Sequence, residues 1–251
     1  MKGCVLFSGG LDSTTVLALA LQQCDEGVFC VTFNYGSKHG EAENAAACDI
    51  AKHYNVSLFR VAIPPETFRG GSSALLSEIP TPHMTYREIK ETMGPSLTVV
   101  PFRNAVMLSI ATAYAITHKA DVVYAGIHAE DAANWAYPDC TPEFAGAMAN
   151  AIWVGSYGKV RLATPFQWMT KEDIVWMARR LHAPIDLTWS CYDPQEVKGS
   201  ADPAVGVEPD IVACGLCPTC VERIVAFKVN FLIDPIPYAV HINWGGCVQW
   251  S

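Results

Sequence analysis

The fold is decided by residues 3–14, which read GCVLFSGGLDST. The apolar run from Gly3 to Phe7 predicts a buried strand, and the amphipathic run from Ser13 to Gln23 predicts a helix that follows it at once. Between them, Gly9 and Gly10 permit backbone angles closed to other residues and let main-chain N–H groups approach an anion. Such a turn delivers those donors to a helix N-terminus, where the dipole also favours phosphate. The stretch therefore predicts a phosphate-binding loop from Ser8 to Thr14.

The polar side chains of this loop suit a nucleotide. Ser8, Ser13 and Thr14 supply hydroxyl donors, and Asp12 suits the Mg²⁺ that accompanies a pyrophosphate. The loop lacks the Gly-Lys-Ser/Thr ending of a Walker A motif and the six-residue glycine pattern of a dinucleotide fold. It resembles the SGGxDS loop of the PP-loop ATP pyrophosphatases, which implies that pyrophosphate leaves and AMP passes to the substrate. The alternative is a turn that only caps a helix. The position of the loop directly after the first strand favours phosphate binding instead.

Short apolar runs alternate with longer amphipathic runs over the first 180 residues, the pattern of a parallel sheet flanked by helices. We therefore predict an α/β fold, a Rossmann-like sheet of the adenine nucleotide α-hydrolase (PP-loop) type. Residues 64–95 and 193–213 are predicted loops, and residues 234–251 an irregular tail packed on the body. Further predicted strands are Val28–Phe33, Leu58–Val61 and Val122–Gly126, and further predicted helices are Glu41–Tyr54, Asn104–Thr117, Pro142–Val154 and Lys171–Leu181, the last capped by Thr170 with Asp173.

Four cysteines form the second informative pattern. Cys214, Cys217 and Cys220 follow one another at C-x2-C-x2-C, and Cys191 lies upstream. Four thiolates suit a tetrahedral Zn²⁺, and full protein coordination would make that metal structural rather than catalytic. An iron–sulfur site is the alternative, because the same spacing occurs there. The available fourth cysteine favours zinc.

Composition restricts the partners. The chain has 17 basic and 25 acidic residues, a net charge of −8 and a pI near 5.3. Proteins that bind nucleic acids depend on a basic excess for phosphate neutralisation, so a nucleic acid is not expected as a direct partner. Neither a targeting signal nor an apolar run of about 18 residues stands out, so we expect no membrane association and a cytoplasmic location.

Fragments along almost the whole chain resemble the QueC (ExsB) family. Their order makes the resemblance specific, although each alone is weak. Besides the phosphate loop they are Phe33-Asn34-Tyr35-Gly36 with His39, Val100-Pro101-Phe102-Arg103-Asn104, Glu130-Asp131, Tyr137-Pro138-Asp139-Cys140, Thr188-Trp189-Ser190-Cys191 and Cys220-Val221-Glu222-Arg223-Ile224.

The resemblance implies a ligase that converts 7-carboxy-7-deazaguanine, ammonia and ATP into 7-cyano-7-deazaguanine in queuosine biosynthesis. The substrate carboxylate would attack the α-phosphate and expel pyrophosphate, and ammonia would then displace AMP to give an amide. A second adenylation would allow elimination to the nitrile. The resemblance also implies a homodimer with ATP, Mg²⁺ and Zn²⁺ as cofactors.

Roles carry over to matching positions only. The resemblance implies that the phosphate loop, Ser8, Gly9, Gly10, Leu11, Asp12, Ser13 and Thr14, holds pyrophosphate, with Asp12, Arg103 and Lys171 as catalytic residues. Phe33, Tyr35 and Gly36 would line the adenine pocket, and Glu130, Asp131, Tyr137 and Asp139 would bind the deazaguanine. Each residue also has a purely structural interpretation: a surface salt bridge for Arg103, a solvated helix start for Lys171, a core position for Tyr35, and helix capping or loop bonding for the acids.

Several departures from the family leave the exact reaction open. The interval between Cys191 and Cys214 is longer than usual, His128 stands where an asparagine is common, and the tail is longer. The chain could thus be a related enzyme that stops at the amide or joins the acid to another amine, including a protein amine. A tRNA-modifying PP-loop enzyme and a non-catalytic nucleotide-binding module are two more distant possibilities. We predict a PP-loop domain over residues 1–188 and a zinc-binding element over 189–251, with an inserted loop at 193–213.

Overall fold

The computed structural model describes residues 1–68, 73–93, 97–128, 137–197 and 210–250. Within them, five parallel strands form the central sheet in the order β3-β2-β1-β4-β5. The order reverses between β1 and β4, and ligands of open α/β sheets bind beside the carboxyl ends of strands at such a point. The predicted fold class is confirmed. The strands are β1 (Gly3–Leu6), β2 (Val28–Asn34), β3 (Ser57–Ala62), β4 (Val122–Tyr124) and β5 (Arg161–Ala163).

Helices cover both faces of the sheet. Leu17, Ile174 and Phe227 pack in one core cluster on one side, while Leu108 and Ile152 pack in a second cluster with β4 on the other. Each predicted helix is confirmed, with ends that differ by at most two residues. The helices are α1 (Leu11–Gln23), α2 (Gly40–His53), α3 (Tyr86–Met93), α4 (Arg103–Thr117), α5 (Pro142–Gly155), α6 (Lys171–Arg180) and α7 (Pro218–Val229), with 3-10 turns at Pro65–Phe68, Pro138–Cys140 and Ile185–Leu187. None of those helices has both the length and the apolar character needed to cross a bilayer.

Local capping explains where two helices begin. The Thr170 hydroxyl accepts the N–H of Asp173, whose carboxylate accepts the N–H of Thr170, so the predicted capping box of α6 is confirmed. Thr85 and Glu88 make the same reciprocal bonds before α3. The prediction of an unbroken loop over 64–95 was therefore wrong, because a capping box of the same spacing starts a helix inside that stretch.

The C-terminal part is more ordered than predicted. Two short strands, β6 (Gln195–Glu196) and β7 (Ile211–Val212), pair antiparallel at the ends of the long loop. Residues 198–209 between them lie outside the described ranges. The strand β8 (Leu232–Ile233) pairs in parallel with β9 (Val248–Gln249), and the Trp250 ring lies 5.6 Å from Phe227. The tail thus packs on the body as predicted, although it is not irregular throughout.

A buried ion pair fixes this C-terminal part. Arg223, on α7, is 1% exposed and donates to both carboxylate oxygens of Asp234 over 2.6 and 2.9 Å. The same guanidinium donates to the Thr188 hydroxyl at 2.7 Å, and the Tyr238 hydroxyl donates to Asp234 at 2.7 Å. Bidentate pairing with added hydrogen bonds offsets the desolvation of both charges.

Replacing Tyr238 with phenylalanine is expected to lower the free energy of unfolding by about 1.5–3 kcal/mol, because a hydrogen bond to the buried carboxylate of Asp234 is lost. Urea unfolding measures the change. Tyr157→Phe is the matched control, because Tyr157 is 92% exposed and should be neutral. Equal midpoints for Tyr238→Phe and the unchanged chain would contradict the bond's contribution.

Candidate active site

The phosphate loop lies at the switch point and is packed against α2. Gly9 has φ +78°, and a Cβ at this position would stand 2.6 Å from the Ala47 nitrogen and 2.9 Å from the Glu43 carbonyl oxygen. Both atoms belong to backbone, so no side-chain rotation relieves the clash. Position 9 therefore requires glycine for two reasons: the left-handed φ, and the lack of room for a Cβ atom.

We expect Gly9→Ala to lower ATP affinity by at least about tenfold and stability by about 1–3 kcal/mol, through overpacking and a left-handed φ. Gly146→Ala is the control, because a Cβ on Gly146, inside α5, meets nothing within 4 Å. That helical substitution should be neutral or stabilise by about 0.5–1 kcal/mol. Calorimetric ATP titration and thermal unfolding test both, and unchanged ATP affinity in Gly9→Ala would contradict the packing argument.

The start of α1 is left open for an anion. Gly10 is its N-cap, no described side chain caps it, and the Thr14 N–H to the Gly10 carbonyl is the first intrahelical bond. The N–H groups of the first turn therefore have no partner inside the helix. The Ser8 and Ser13 hydroxyls lie 3.1 Å apart beside them. Thr14, by contrast, is fully buried and does not line the open space at the loop.

Two adjoining cavities open at this loop. The larger, of about 220 Å³, reaches the carboxyl ends of β1, β2 and β4, and the smaller, of about 110 Å³, reaches Trp189 and Ser190. Gly126, after β4, allows the sheet edge to approach closely, since a Cβ there would stand 3.3 Å from the Asp12 carbonyl carbon. Residues that line both cavities are Ser8, Asp12, Ser13, Glu43, Lys171, Tyr192, Thr219 and Glu222.

A buried lysine joins two acids in the cavity wall. Lys171 Nζ lies 2.7 Å from Asp12 Oδ2 and 3.2 Å from Glu222 Oε2, and its side chain is 9% exposed. His128 Nε2 lies 3.6 Å from the same Asp12 oxygen. Burial alone would raise the pKa of Asp12, but Lys171 and then His128 outweigh it and hold that pKa below its usual value. Asp12 is therefore a carboxylate, and its Oδ1 is buried with no hydrogen-bond partner among the described residues.

A second cation lines the larger cavity. Arg103, the first residue of α4, donates to the Tyr35 hydroxyl at 3.0 Å, and its guanidinium lies 5.7 Å from the Tyr35 ring centre. Phe102 before it adopts a left-handed φ of +56° and is 66% exposed. Glu43 also lines this cavity; burial raises the pKa of its carboxyl to about 7, although Arg103 opposes the rise.

Only some of the residues predicted to bind adenine and deazaguanine line the larger cavity. Phe33 and Tyr35 line the larger cavity, while Gly36, with φ +80°, forms a turn whose Cβ position faces Pro65 at 2.9 Å. Tyr137 is buried and its hydroxyl contacts those of Thr98 and Tyr86. Asp139 accepts the Asn104 N–H at 2.9 Å and so caps α4. Glu130 and Asp131 lie outside the described residues.

Several cavity residues have no role that the sequence predicts. They are Glu43, Glu222, Tyr192 and Thr219, with His128 behind Asp12. Glu43 was accessible to sequence reasoning, because the first turn of a helix after a parallel strand lies at the ligand edge of the sheet. Glu222 and Tyr192 were not, because only tertiary folding brings the cysteine segment to the phosphate loop.

The four predicted cysteine ligands come together. Cys191, Cys214, Cys217 and Cys220 are at most 2% exposed, and their sulfurs lie within 4.8 Å of one another. The Sγ atoms of Cys214 and Cys220 are 3.9 Å apart, and those of Cys191 and Cys217 are 4.0 Å apart. A tetrahedral zinc with Zn–S bonds near 2.3 Å separates its sulfurs by about 3.8 Å. The cluster therefore fits a single tetrahedral metal ion.

The cysteine cluster is tied to the phosphate loop. The Trp189 N–H donates to the Gly9 carbonyl at 2.9 Å, two residues before Cys191. The Trp189 indole N–H donates to the Cys191 carbonyl at 2.9 Å. The segment that carries the first cysteine is thus held against the loop predicted to bind phosphate.

Comparisons with known proteins agree with this geometry. The family model described as "Queuosine biosynthesis protein QueC" matches residues 2–231. The chain is 36% identical over 242 residues to the 7-cyano-7-deazaguanine synthase of Thermoplasma volcanium, covering 95% of this chain and 91% of that one. It is 38% identical over 253 residues to the same enzyme of Caldicellulosiruptor bescii, covering 97% and 100%.

Solved structures are more distant. The U34-tRNA thiolase NcsA of Methanococcus maripaludis is 18% identical with a TM-score of 0.44, over 73% of this chain and 57% of that one. The NH3-dependent NAD synthetase of Campylobacter jejuni is 14% identical with a TM-score of 0.43, over 74% and 66%. At these values neither likeness carries information on activity.

Proposed function

The chain belongs to the QueC family of queuosine biosynthesis proteins, and from this membership we infer that it is an ATP-dependent ligase that makes 7-cyano-7-deazaguanine. Its substrates are 7-carboxy-7-deazaguanine, ammonia and ATP. The names of its relatives do not favour an enzyme that stops at the amide or uses another amine. The observation that carries the ATP-splitting step is the uncapped N-terminus of α1 beside the buried pair of Lys171 and Asp12.

We propose that the phosphate loop holds the β- and γ-phosphates on its main-chain N–H groups, aided by Ser8 and Ser13. A carboxylate attacks the α-phosphate only when charge on the departing pyrophosphate is stabilised. Lys171 and Arg103 both line the larger cavity and supply positive charge there. Phe33 and Tyr35 line the part of that cavity that we assign to adenine. Roles for Glu130, Asp131, Tyr137 and Asp139 in binding the deazaguanine stay predictions.

Mg²⁺ fits the site through Asp12. The buried and unpartnered Oδ1 of that carboxylate is an oxygen ligand of the type that Mg²⁺ prefers, and its low pKa keeps it ionised. A bound Mg²⁺ would neutralise pyrophosphate charge. The protein's own part is to hold Asp12 in place through Lys171.

The nitrile requires two activations. Ammonia displaces AMP from the adenylated acid to give an amide, and adenylation of the amide oxygen then makes it a leaving group for elimination. Carboxylate and amide oxygens leave poorly without such activation. We propose that both adenylations use the same cavity, so that one phosphate loop serves twice.

Product analysis tests this function directly. The chain is incubated with 7-carboxy-7-deazaguanine, ATP, Mg²⁺ and ammonium, and the products are identified by mass spectrometry. We expect the nitrile together with AMP and pyrophosphate. ADP as the nucleotide product would overturn the adenylation mechanism, and an amide that persists with excess ATP would support an enzyme that stops at the amide.

We propose Zn²⁺ for the cysteine cluster, in a structural role. All four coordination positions would be filled by protein, which leaves no position for a substrate. A four-iron cluster would keep the sulfurs farther apart, because each cysteine would bind a different iron atom. The two-part organisation, residues 1–188 with the phosphate loop and 189–251 with the metal, also remains our proposal. So do the homodimer, the cytoplasmic location and the lack of a nucleic-acid partner.

A further inference from the structure

Glu43 lies where the two cavities meet. It belongs to the first turn of α2, and its backbone packs directly on the phosphate loop, as its carbonyl oxygen would stand 2.9 Å from a Cβ on Gly9. Its side chain lines both cavities and is 21% exposed. Glu43 therefore lies beside the phosphate loop and in the cavity where we propose that adenylation occurs.

Three acids line both cavities, and Glu43 differs from the other two. Asp12 and Glu222 both contact the Lys171 ammonium, at 2.7 and 3.2 Å. The Glu43 Oε2 atom lies instead 3.6 Å from His39 Nε2. Burial, with Arg103 adding to it, lowers the pKa of His39 to about 4, so this ring is neutral at pH 7. In the part of the chain that the structure describes, Glu43 is therefore the one acid of these three that forms no ion pair with Lys171.

The reaction needs such a group. Ammonia in water at neutral pH is mostly ammonium, which has no lone pair with which to attack a carbonyl carbon. A carboxylate beside the adenylate would bind the cation and accept its proton. We propose that Glu43 binds the incoming ammonium and acts as the general base that frees ammonia for attack on the adenylated acid, an inference that rests on the proposed function.

Atoms and charge balance in this step. Glu43 takes one proton from the bound ammonium, and the freed nitrogen lone pair forms the C–N bond at the acyl carbon. The C–O bond to AMP breaks and its electron pair leaves on the phosphate oxygen. The nitrogen gives its surplus proton to water as AMP departs, so that the amide is neutral.

The surroundings of Glu43 set the sign of a pH dependence. Because burial raises the pKa of this carboxyl to about 7, the basic form is present above that value and is lost below it. The rate of amide formation should therefore rise as pH increases through about 7. The charged and titratable groups that face Glu43 are Arg103 from α4, Tyr35 after β2, His39 from α2, Tyr192 from the cysteine segment, and Asp12, Lys171 and Glu222 in the shared lining.

Partial reactions separate this role from nucleotide binding. ATP–pyrophosphate exchange with 7-carboxy-7-deazaguanine, without ammonium, reports adenylation alone, whereas amide release with ammonium reports the step that needs the base. Glu43→Gln should retain exchange while amide formation falls by about 10²–10³-fold and loses its rise near pH 7. Glu43→Asp should retain part of the amide activity. Glu41→Gln is the matched control, because Glu41 is exposed on the same turn and should change neither reaction.

Each outcome decides between roles. Amide formation at the unchanged rate in Glu43→Gln would overturn the proposal, and an equal loss of exchange and amide formation would assign Glu43 to holding the phosphate loop instead. Thermal unfolding of all variants shows whether a loss of activity reflects a loss of folding. If Glu43→Gln does not fold, the exchange and amide rates of Glu43→Asp test the proposal instead. A wild-type chain without exchange would overturn the proposed function itself.

Discussion

Replacing Lys171 with methionine is expected to lower the rate of pyrophosphate release by about 10²–10³-fold, because the variant lacks the cation that stabilises charge on the leaving group. The loss has a second source. Without the Lys171 ammonium group, no cation would separate the Asp12 and Glu222 carboxylates in the cavity wall. The pKa of Asp12 would then rise from its lowered value. A protonated Asp12 would no longer suit Mg²⁺.

Single-turnover measurement of pyrophosphate with saturating ATP tests this expectation. Lys159→Met is the matched control, because Lys159 lies in neither cavity. Lys171→Arg keeps the charge but changes the donor geometry, and it should recover only part of the rate. A Lys171→Met variant that releases pyrophosphate at the control rate would remove this lysine from the mechanism.

Replacing Cys217 with serine is expected to abolish tight metal binding and to unfold the C-terminal part of the chain locally. Structural zinc contributes on the order of 10 kcal/mol to the folding of small zinc domains, which is comparable to the stability of a whole protein. Cys217 is also the N-cap of α7, the helix that carries Glu222 and Arg223. Its loss should therefore reach the active site as well.

Metal content by mass spectrometry and ATP affinity by calorimetry measure the two effects. The unchanged chain should carry one zinc ion, and Cys217→Ser should carry much less than one. Cys247→Ser is the control. Because Cys247 lies outside the cluster, this variant should keep its zinc ion. Iron in place of zinc, or full ATP affinity in a metal-free variant, would contradict the assignment.

Most of the fold could be predicted because its helices and strands are determined by local sequence patterns. The strand–loop–helix unit at residues 3–23, the capping box of α6 and the apolar periodicity of α4 each depend on neighbours in sequence. The strand β5 could not be predicted, because it begins with the charged Arg161 and lacks the continuous apolar run that marks β4. The helix α3 escapes prediction because the glycines and prolines around it favour a loop.

The site was predictable only where a residue's role is set by its own segment. The phosphate loop and the cysteine spacing belong to this kind. Lys171 was proposed from resemblance alone, and its pairing with Asp12 depends on the packing of α6 against α1. Asp139 and Gly36 have the right chemistry for a binding site, yet their placement depends on α4 and Pro65, which no local pattern specifies.

The bond from the Trp189 N–H to the Gly9 carbonyl also has a consequence for folding, because the two groups are about 180 residues apart in sequence. Closing so long a stretch of chain costs conformational entropy before the contact contributes, so such non-local contacts are slow to form. The phosphate loop therefore gains this hydrogen bond only when the segment before Cys191 has reached its folded position.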